Sequence, residues 1–216
     1  LAAYVRERVD EAGFTADGPA LLTGVEMRHA VGARLGSVWA VSTVGLSNPA
    51  SLPLEPDDGD RVVTEPDRDP PVAECGRRTP RESGDRPPAD GASGDRGSDD
   101  IGTVNILLGT DRALDDGGLA TLLGVVVEAK TATLQQRTGF TGTTSDAVVV
   151  ATDPGGEPSD FAGSATAVGG AARAAVRDAV LGAMDARYDG ADSIPASVSD
   201  ADSGIETTSR ADLFDL

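Results

Sequence analysis

The chain has 216 residues, with 36 acidic against 18 basic side chains, a net charge of −18 and an isoelectric point near 4.2. That balance argues against nucleic acid or an anionic membrane surface as a partner, because like charges repel. No run of about 18 apolar residues occurs, so no membrane span is expected, and Cys75, the only cysteine, excludes an intrachain disulfide.

The kind of charge is informative too. There are 26 Asp and 10 Glu, and 17 of the 18 basic residues are Arg, Lys130 being the sole lysine. Abundant carboxylates, almost no lysine and 3% aromatics suit a protein kept soluble in concentrated salt, where self-repulsion is screened. A lone cysteine and no basic-plus-apolar leader fit a cytoplasmic protein. Leu1, rather than Met, opens the chain inside what reads as a helix, so the fold is expected to begin upstream.

In chain order, Leu1, Val5 and Val9 share one helical face over 1–12. Residues 20–27 and 38–45 are short, β-branched and bounded by Gly or Pro, which predicts two strands. Residues 51–100 hold 8 of the 13 prolines, 14 acidic and 7 basic residues without apolar period, and read as a disordered acidic insert. A third strand is predicted over 102–108. Asp111, Asp115 and Asp116 offer N-caps for a helix reaching about Arg137. A fourth strand spans 147–152, and Asp153-Pro154-Gly155-Gly156 reads as a turn. A second long helix covers 164–186, with Val168, Ala172, Val176, Val180 and Met184 on one stripe. Residues 187–216 read as a frayed acidic tail whose Ala211-Asp212-Leu213-Phe214 motif offers a short docking peptide. Without insert and tail, 15 acidic and 9 basic residues remain, so most of the net charge lies outside the core. The order predicts an α/β domain, with α+β open: a small mixed sheet packed by two long helices, carrying the insert.

Within the helix of 114–137, a wheel at about 100° per residue puts Leu119, Leu122, Leu123, Val126 and Leu134 on one side with Lys130, and Glu128 opposite. A lysine on a buried face is costly unless paired. It either snorkels to solvent or has a partner. The loop Thr141-Gly142-Thr143-Thr144-Ser145-Asp146 enters the fourth strand. Its hydroxyls and amides suit an oxyanion and Asp146 suits proton transfer, although a plain hydrogen-bonded turn uses the same residues. Asn105 sits in an apolar strand and needs partners. Asn48 either donates to a carbonyl or shapes the turn before Pro49. His29 is the only histidine, which excludes a zinc site of the common type. There is no G-x-S-x-G elbow, P-loop or dinucleotide fingerprint.

Three blocks carry a resemblance: Gly102-Thr103-Val104-Asn105-Ile106, then Glu128-Ala129-Lys130-Thr131-Ala132-Thr133-Leu134-Gln135, then Thr141-Gly142-Thr143-Thr144-Ser145-Asp146-Ala147. With Leu22–Val25 and Thr43–Ala50 they resemble, in order and spacing, the adenosylcobinamide amidohydrolases. The family loop reads Thr-Gly-Thr-Gly-Thr-Asp; here Thr144 and Ser145 stand at its fourth and fifth places. The resemblance implies hydrolysis of the amide joining aminopropanol to the corrin ring, giving adenosylcobyric acid in cobinamide salvage toward coenzyme B12. It suits a halophilic archaeon. It implies Asp146, Lys130 and Asn105 as catalytic residues, and Gly45, Asn48, Glu128, Thr141, Gly142 and Thr143 at the substrate. His29 is read first as a satisfied structural histidine and second, should the protein only carry corrinoids, as a substrate-binding imidazole that approaches the substrate's cobalt. No cofactor is expected, cobalt entering only within the corrinoid. Attack by water is the first mechanism, with Thr143 or Ser145 as covalent nucleophile the second. A corrinoid carrier without catalysis is the other function class. Oligomeric state is left open.

Overall fold

The computed structural model describes residues 2–15, 18–54, 102–189, 194–201 and 203–214. The expected insert, apart from its first four residues, therefore lies outside the described residues. The fold belongs to one compact unit, Leu1–Leu54 with Asp100–Thr208.

The chain opens with α1 (Ala2–Glu11), which buries no residue fully; Val5 and Val9 are its half-buried positions. A hairpin follows. β1 (Val31–Leu35) and β2 (Val38–Val44) are antiparallel, with Leu35 opposite Val38. The two-residue connection Gly36-Ser37 needs a left-handed residue, and Gly36 supplies it at φ +55°. β2 pairs antiparallel with β4 (Val104–Ala113), and β4 pairs parallel with β6 (Ala147–Pro158), giving the order β1-β2-β4-β6. The parallel pair is joined through α2 (Asp116–Thr138), the crossover that parallel neighbours require. Of the three aspartates considered as caps, Asp115 does the capping, accepting from Gly118 N at 2.7 Å. Gly139, at φ +83°, ends the helix. α3 (Ala167–Tyr188) starts at Thr166, which accepts from Gly169 N at 3.0 Å.

The small mixed sheet packed by two long helices is present. Val38, Ala40 and Val44 of β2 with Ile106 and Leu108 of β4 form one core with Leu122, Val126 and Leu134 of α2 and Val168, Ala172, Val176 and Val180 of α3. Fully burying each Val, Leu or Ile among them contributes roughly 1.5–3 kcal/mol. Alternation sends Trp39, Val41, Leu107 and Val149 to the opposite face of the sheet. α2 is long and apolar enough to cross a membrane by length and composition alone, yet its apolar stripe is spent on this core.

Three local expectations change. Residues 20–26 form no strand; a 3-10 turn at Met27–His29 follows them. Val25 N donates to Thr23 Oγ1 at 3.0 Å, a local bond that replaces a ladder bond. Asp153–Gly156 is no turn but a bulged part of β6. Thr110 pairs with Thr152 and Arg112 with Glu157, so β4 advances two residues while β6 advances five. Within the expected frayed tail, Val198–Asp200 forms a 3-10 turn and β7 (Ile205–Glu206) adds in parallel to β3 (Pro49–Ser51). β3 also pairs antiparallel with β5 (Gly142–Thr143), completing a second sheet, β5-β3-β7.

Candidate active site

The second sheet ties two sequence blocks together. Pro49 pairs with Thr143 and Ala50 with Gly142. Thr141 reinforces the contact, its N–H and hydroxyl both donating to Ala50 O, at 2.9 and 3.1 Å. The loop 141–146 is thereby held beside the start of β4, and Asp146 lies one residue before β6.

Asp146 is the hub. Its Oδ1 accepts from Val104 N at 3.0 Å and from the Thr143 hydroxyl at 2.5 Å. Thr143 N donates to both carboxylate oxygens at 3.2 Å. Oδ2 takes the ion pair from Lys130 Nζ. The side chains of Lys130 and Asp146 are 8% and 12% exposed. The lone lysine therefore does not snorkel: it is paired inside the fold, as burial of an ammonium demands. Gly142 makes room for the pair. A Cβ there would collide with Asp146 Oδ2 and stand 3.0 Å from Lys130 Nζ.

A second layer fixes the loop. Thr103, buried, has its hydroxyl 2.8 Å from Ser145 O and 3.1 Å from Asn105 Oδ1. Asn105 Nδ2 donates to Leu22 O at 2.7 Å, which ties residue 22 to the start of β4. Ser145 Oγ donates to Gly102 O at 3.0 Å. Asn48, 1% exposed, donates from Nδ2 to Thr144 Oγ1 at 2.6 Å and accepts Thr144 N at its backbone oxygen at 3.2 Å. Its Oδ1 has no hydrogen-bond partner among the described residues. Gly45 and Gly102 pack face to face. A Cβ on Gly102 would meet Gly45 O at 2.5 Å and Asn48 Oδ1 at 2.6 Å, and one on Gly45 would meet Val25 Cγ2 at 2.8 Å.

The structure thus brings together Lys130, Asp146, Thr143, Gly142, Thr141, Asn105, Asn48 and Gly45. It does not bring Glu128 or His29. Glu128 is exposed on the far side of α2 and pairs with Arg173 of α3. His29 meets the last turn of α3. Its Nδ1 lies 2.7 Å from Ala186 O, which can only accept, so Nδ1 carries the proton and Nε2 accepts from Arg28 at 3.2 Å. Thr103 is the residue that reading side chains one at a time overlooks. Its place beside Asn105 was the available signal. No group of three His, Cys, Asp or Glu able to hold a metal occurs among the described residues. A groove of about 550 Å³ between α2 and α3 holds none of the cluster. Its Arg137, Arg173 and Arg177 are each paired with a carboxylate. At the Asp146 cluster a carboxylate, a hydroxyl and a cation converge.

Within a mixed α/β domain, a hydroxyl, a carboxylate and an ammonium thus meet at the entrance to a strand. Residues 1–191 match the family of the adenosylcobinamide amidohydrolases, and the chain belongs to that family. It is 46% identical over 213 residues to the adenosylcobinamide amidohydrolase of Halobacterium salinarum, an alignment covering 98% of this chain and 77% of the relative. No solved structure matches it.

Proposed function

We propose that this protein hydrolyses the amide joining aminopropanol to the corrin ring of adenosylcobinamide, releasing aminopropanol and adenosylcobyric acid in cobinamide salvage for coenzyme B12 synthesis. The observation that carries the reading is the Lys130–Asp146–Thr143 cluster, which falls within the residues that match the family. Amide hydrolysis needs a proton acceptor during attack, stabilisation of the developing oxyanion and a proton for the leaving amine. Asp146 accepts and returns the proton. Lys130 holds Asp146 and contributes positive charge where the oxyanion forms. Asn105 and Thr103 hold the loop in place. No resident cofactor enters this scheme, and cobalt comes only with the corrinoid. On composition alone, we assign the reaction to the cytoplasm.

The test is incubation with adenosylcobinamide, followed by mass spectrometry for free aminopropanol and for the corrinoid acid. The expected result is release of both in equal amounts. Corrinoid binding without release would replace the enzyme reading by a carrier.

A further inference from the structure

We propose that Thr143 is the nucleophile and that the reaction passes through an ester on its Oγ; this rests on the amide-hydrolysis reading above. A covalent mechanism requires a hydroxyl within hydrogen-bond reach of a base that a third group orients. Thr143 meets that description. Its hydroxyl donates to Asp146 Oδ1 at 2.5 Å, and the other carboxylate oxygen is held by Lys130. Ser145 N lies 3.4 Å from Thr143 Oγ1, so one backbone donor points at the reacting oxygen.

The neighbouring hydroxyls are otherwise engaged. Ser145 Oγ donates to a backbone carbonyl, that of Gly102. Thr144 Oγ1 receives Asn48 Nδ2. The Thr103 hydroxyl faces Ser145 O and Asn105 Oδ1. Elsewhere, Ser51 and Ser197 also donate to carboxylates, those of Glu206 and Asp200, but in exposed pairs. Thr143 combines a buried site, a carboxylate and a cation. At 8% exposure it keeps a small accessible surface, and the exposed loop tip Thr144-Ser145 lies beside it.

The bonds balance as follows. Thr143 Oγ attacks the amide carbonyl carbon as its proton passes to Asp146. The tetrahedral adduct collapses: the C–N bond breaks, the Asp146 proton goes to nitrogen, and aminopropanol leaves. An ester remains between Thr143 Oγ and the corrin side-chain acyl carbon. Water then attacks that carbon and gives a proton to Asp146. The C–O bond to Thr143 breaks, and Thr143 Oγ recovers the proton from Asp146. Lys130 stays an ammonium throughout.

The test uses the full chain with adenosylcobinamide in three measurements. The first is acid quench during turnover, with peptide mass spectrometry for a corrinoid acyl group on Thr143. The second is turnover in hydroxylamine, where an acyl-enzyme yields the corrinoid hydroxamate. The third compares Thr143→Ala, Thr143→Ser and Ser145→Ala, with binding followed by corrinoid absorbance to show that each variant is folded. The expected result is an ester or hydroxamate in the wild type and a loss of at least about a thousandfold in kcat for Thr143→Ala. Thr143→Ser should restore most of the turnover that Thr143→Ala loses, and Ser145→Ala should still carry the ester on Thr143. Wild-type turnover with neither ester nor hydroxamate overturns the proposal, as does near-normal turnover in Thr143→Ala. A wild type that releases no aminopropanol sinks the hydrolysis reading itself, a separate outcome.

Discussion

Lys130 of α2 and Asp146 at the entrance to β6 form an ion pair sixteen residues apart in sequence, with both side chains largely withdrawn from water. Removing either partner strands the other, at a cost of roughly 3–5 kcal/mol. Asp146→Asn and Lys130→Met should therefore each lower stability by about that amount and drop turnover at least about a hundredfold. In the double variant no charge is left stranded, so its loss in urea unfolding should be well short of the sum of the two single losses. Additive losses, or near-normal aminopropanol release in both single variants, would remove the pair from the mechanism.

Gly142 and Gly124 make a matched contrast. At Gly142 a methyl group would run into the ion pair, whereas at Gly124, exposed in the middle of α2, nothing lies within 4 Å. Gly142→Ala should cost about 1–3 kcal/mol and abolish most turnover, because the pair must shift to admit the Cβ. Gly124→Ala should stabilise by roughly 0.5–1 kcal/mol, raising Tm by about 1–4 °C with turnover unchanged. Calorimetry and the release assay read both.

Glu128 and His29 belong to other neighbourhoods, the first bound to Arg173 and the second to Ala186 O. Glu128→Gln removes an exposed pair and should change stability by no more than about 1 kcal/mol. His29→Ala loses one hydrogen bond to the end of α3, about 1 kcal/mol. Both should keep kcat and KM near wild type. A kcat loss of tenfold or more in His29→Ala would restore an imidazole role at the cobalt face of the substrate.

What the sequence discloses follows the length and regularity of each element. α2 was legible because Asp115 and Gly139 bracket a continuous helical period. β1 was not: Val31-Gly-Ala-Arg-Leu carries its alternation on small residues, and the signal lay in the Gly36-Ser37 turn after it. The second sheet was invisible because its strands are two or three residues long, too short for any period. At the site, the wheel placed Lys130 among apolar neighbours, and loop composition marked Asp146 and Thr143. Their pairing is a tertiary fact, created when β3 and β5 join and β4 aligns with β6. Asn48 and Asn105 were noticed as polar oddities, but their partners Thr144 and Leu22 lie 96 and 83 residues away.

Trp39, the only tryptophan, lies against Gly109 of the neighbouring strand, where a Cβ would collide with its indole. Gly109→Ala should push the ring outward. The emission maximum should move to longer wavelength, with about 1–3 kcal/mol lost in unfolding and the release assay little affected. An unchanged spectrum would mean that Trp39 does not rest on the strand.

Asn48 and Thr144 should behave as one unit. Asn48→Ala removes the bond to Thr144 Oγ1 but also the buried Oδ1 that has no donor among the described residues. The lost bond costs about 1 kcal/mol, and eliminating an unsatisfied buried acceptor recovers a similar amount, so stability should barely move. Turnover should fall, because the anchored loop carries both Thr143 and Asp146. Thr144→Ala loses the same bond from the other side, and the double variant should be no worse in kcat than the poorer single, a coupling of about 1 kcal/mol. Thr144→Gly removes the hydroxyl together with the rest of the side chain and tests whether the Asn48 amide depends on that hydroxyl. Independent, additive losses in kcat would show that Asn48 acts on something other than Thr144.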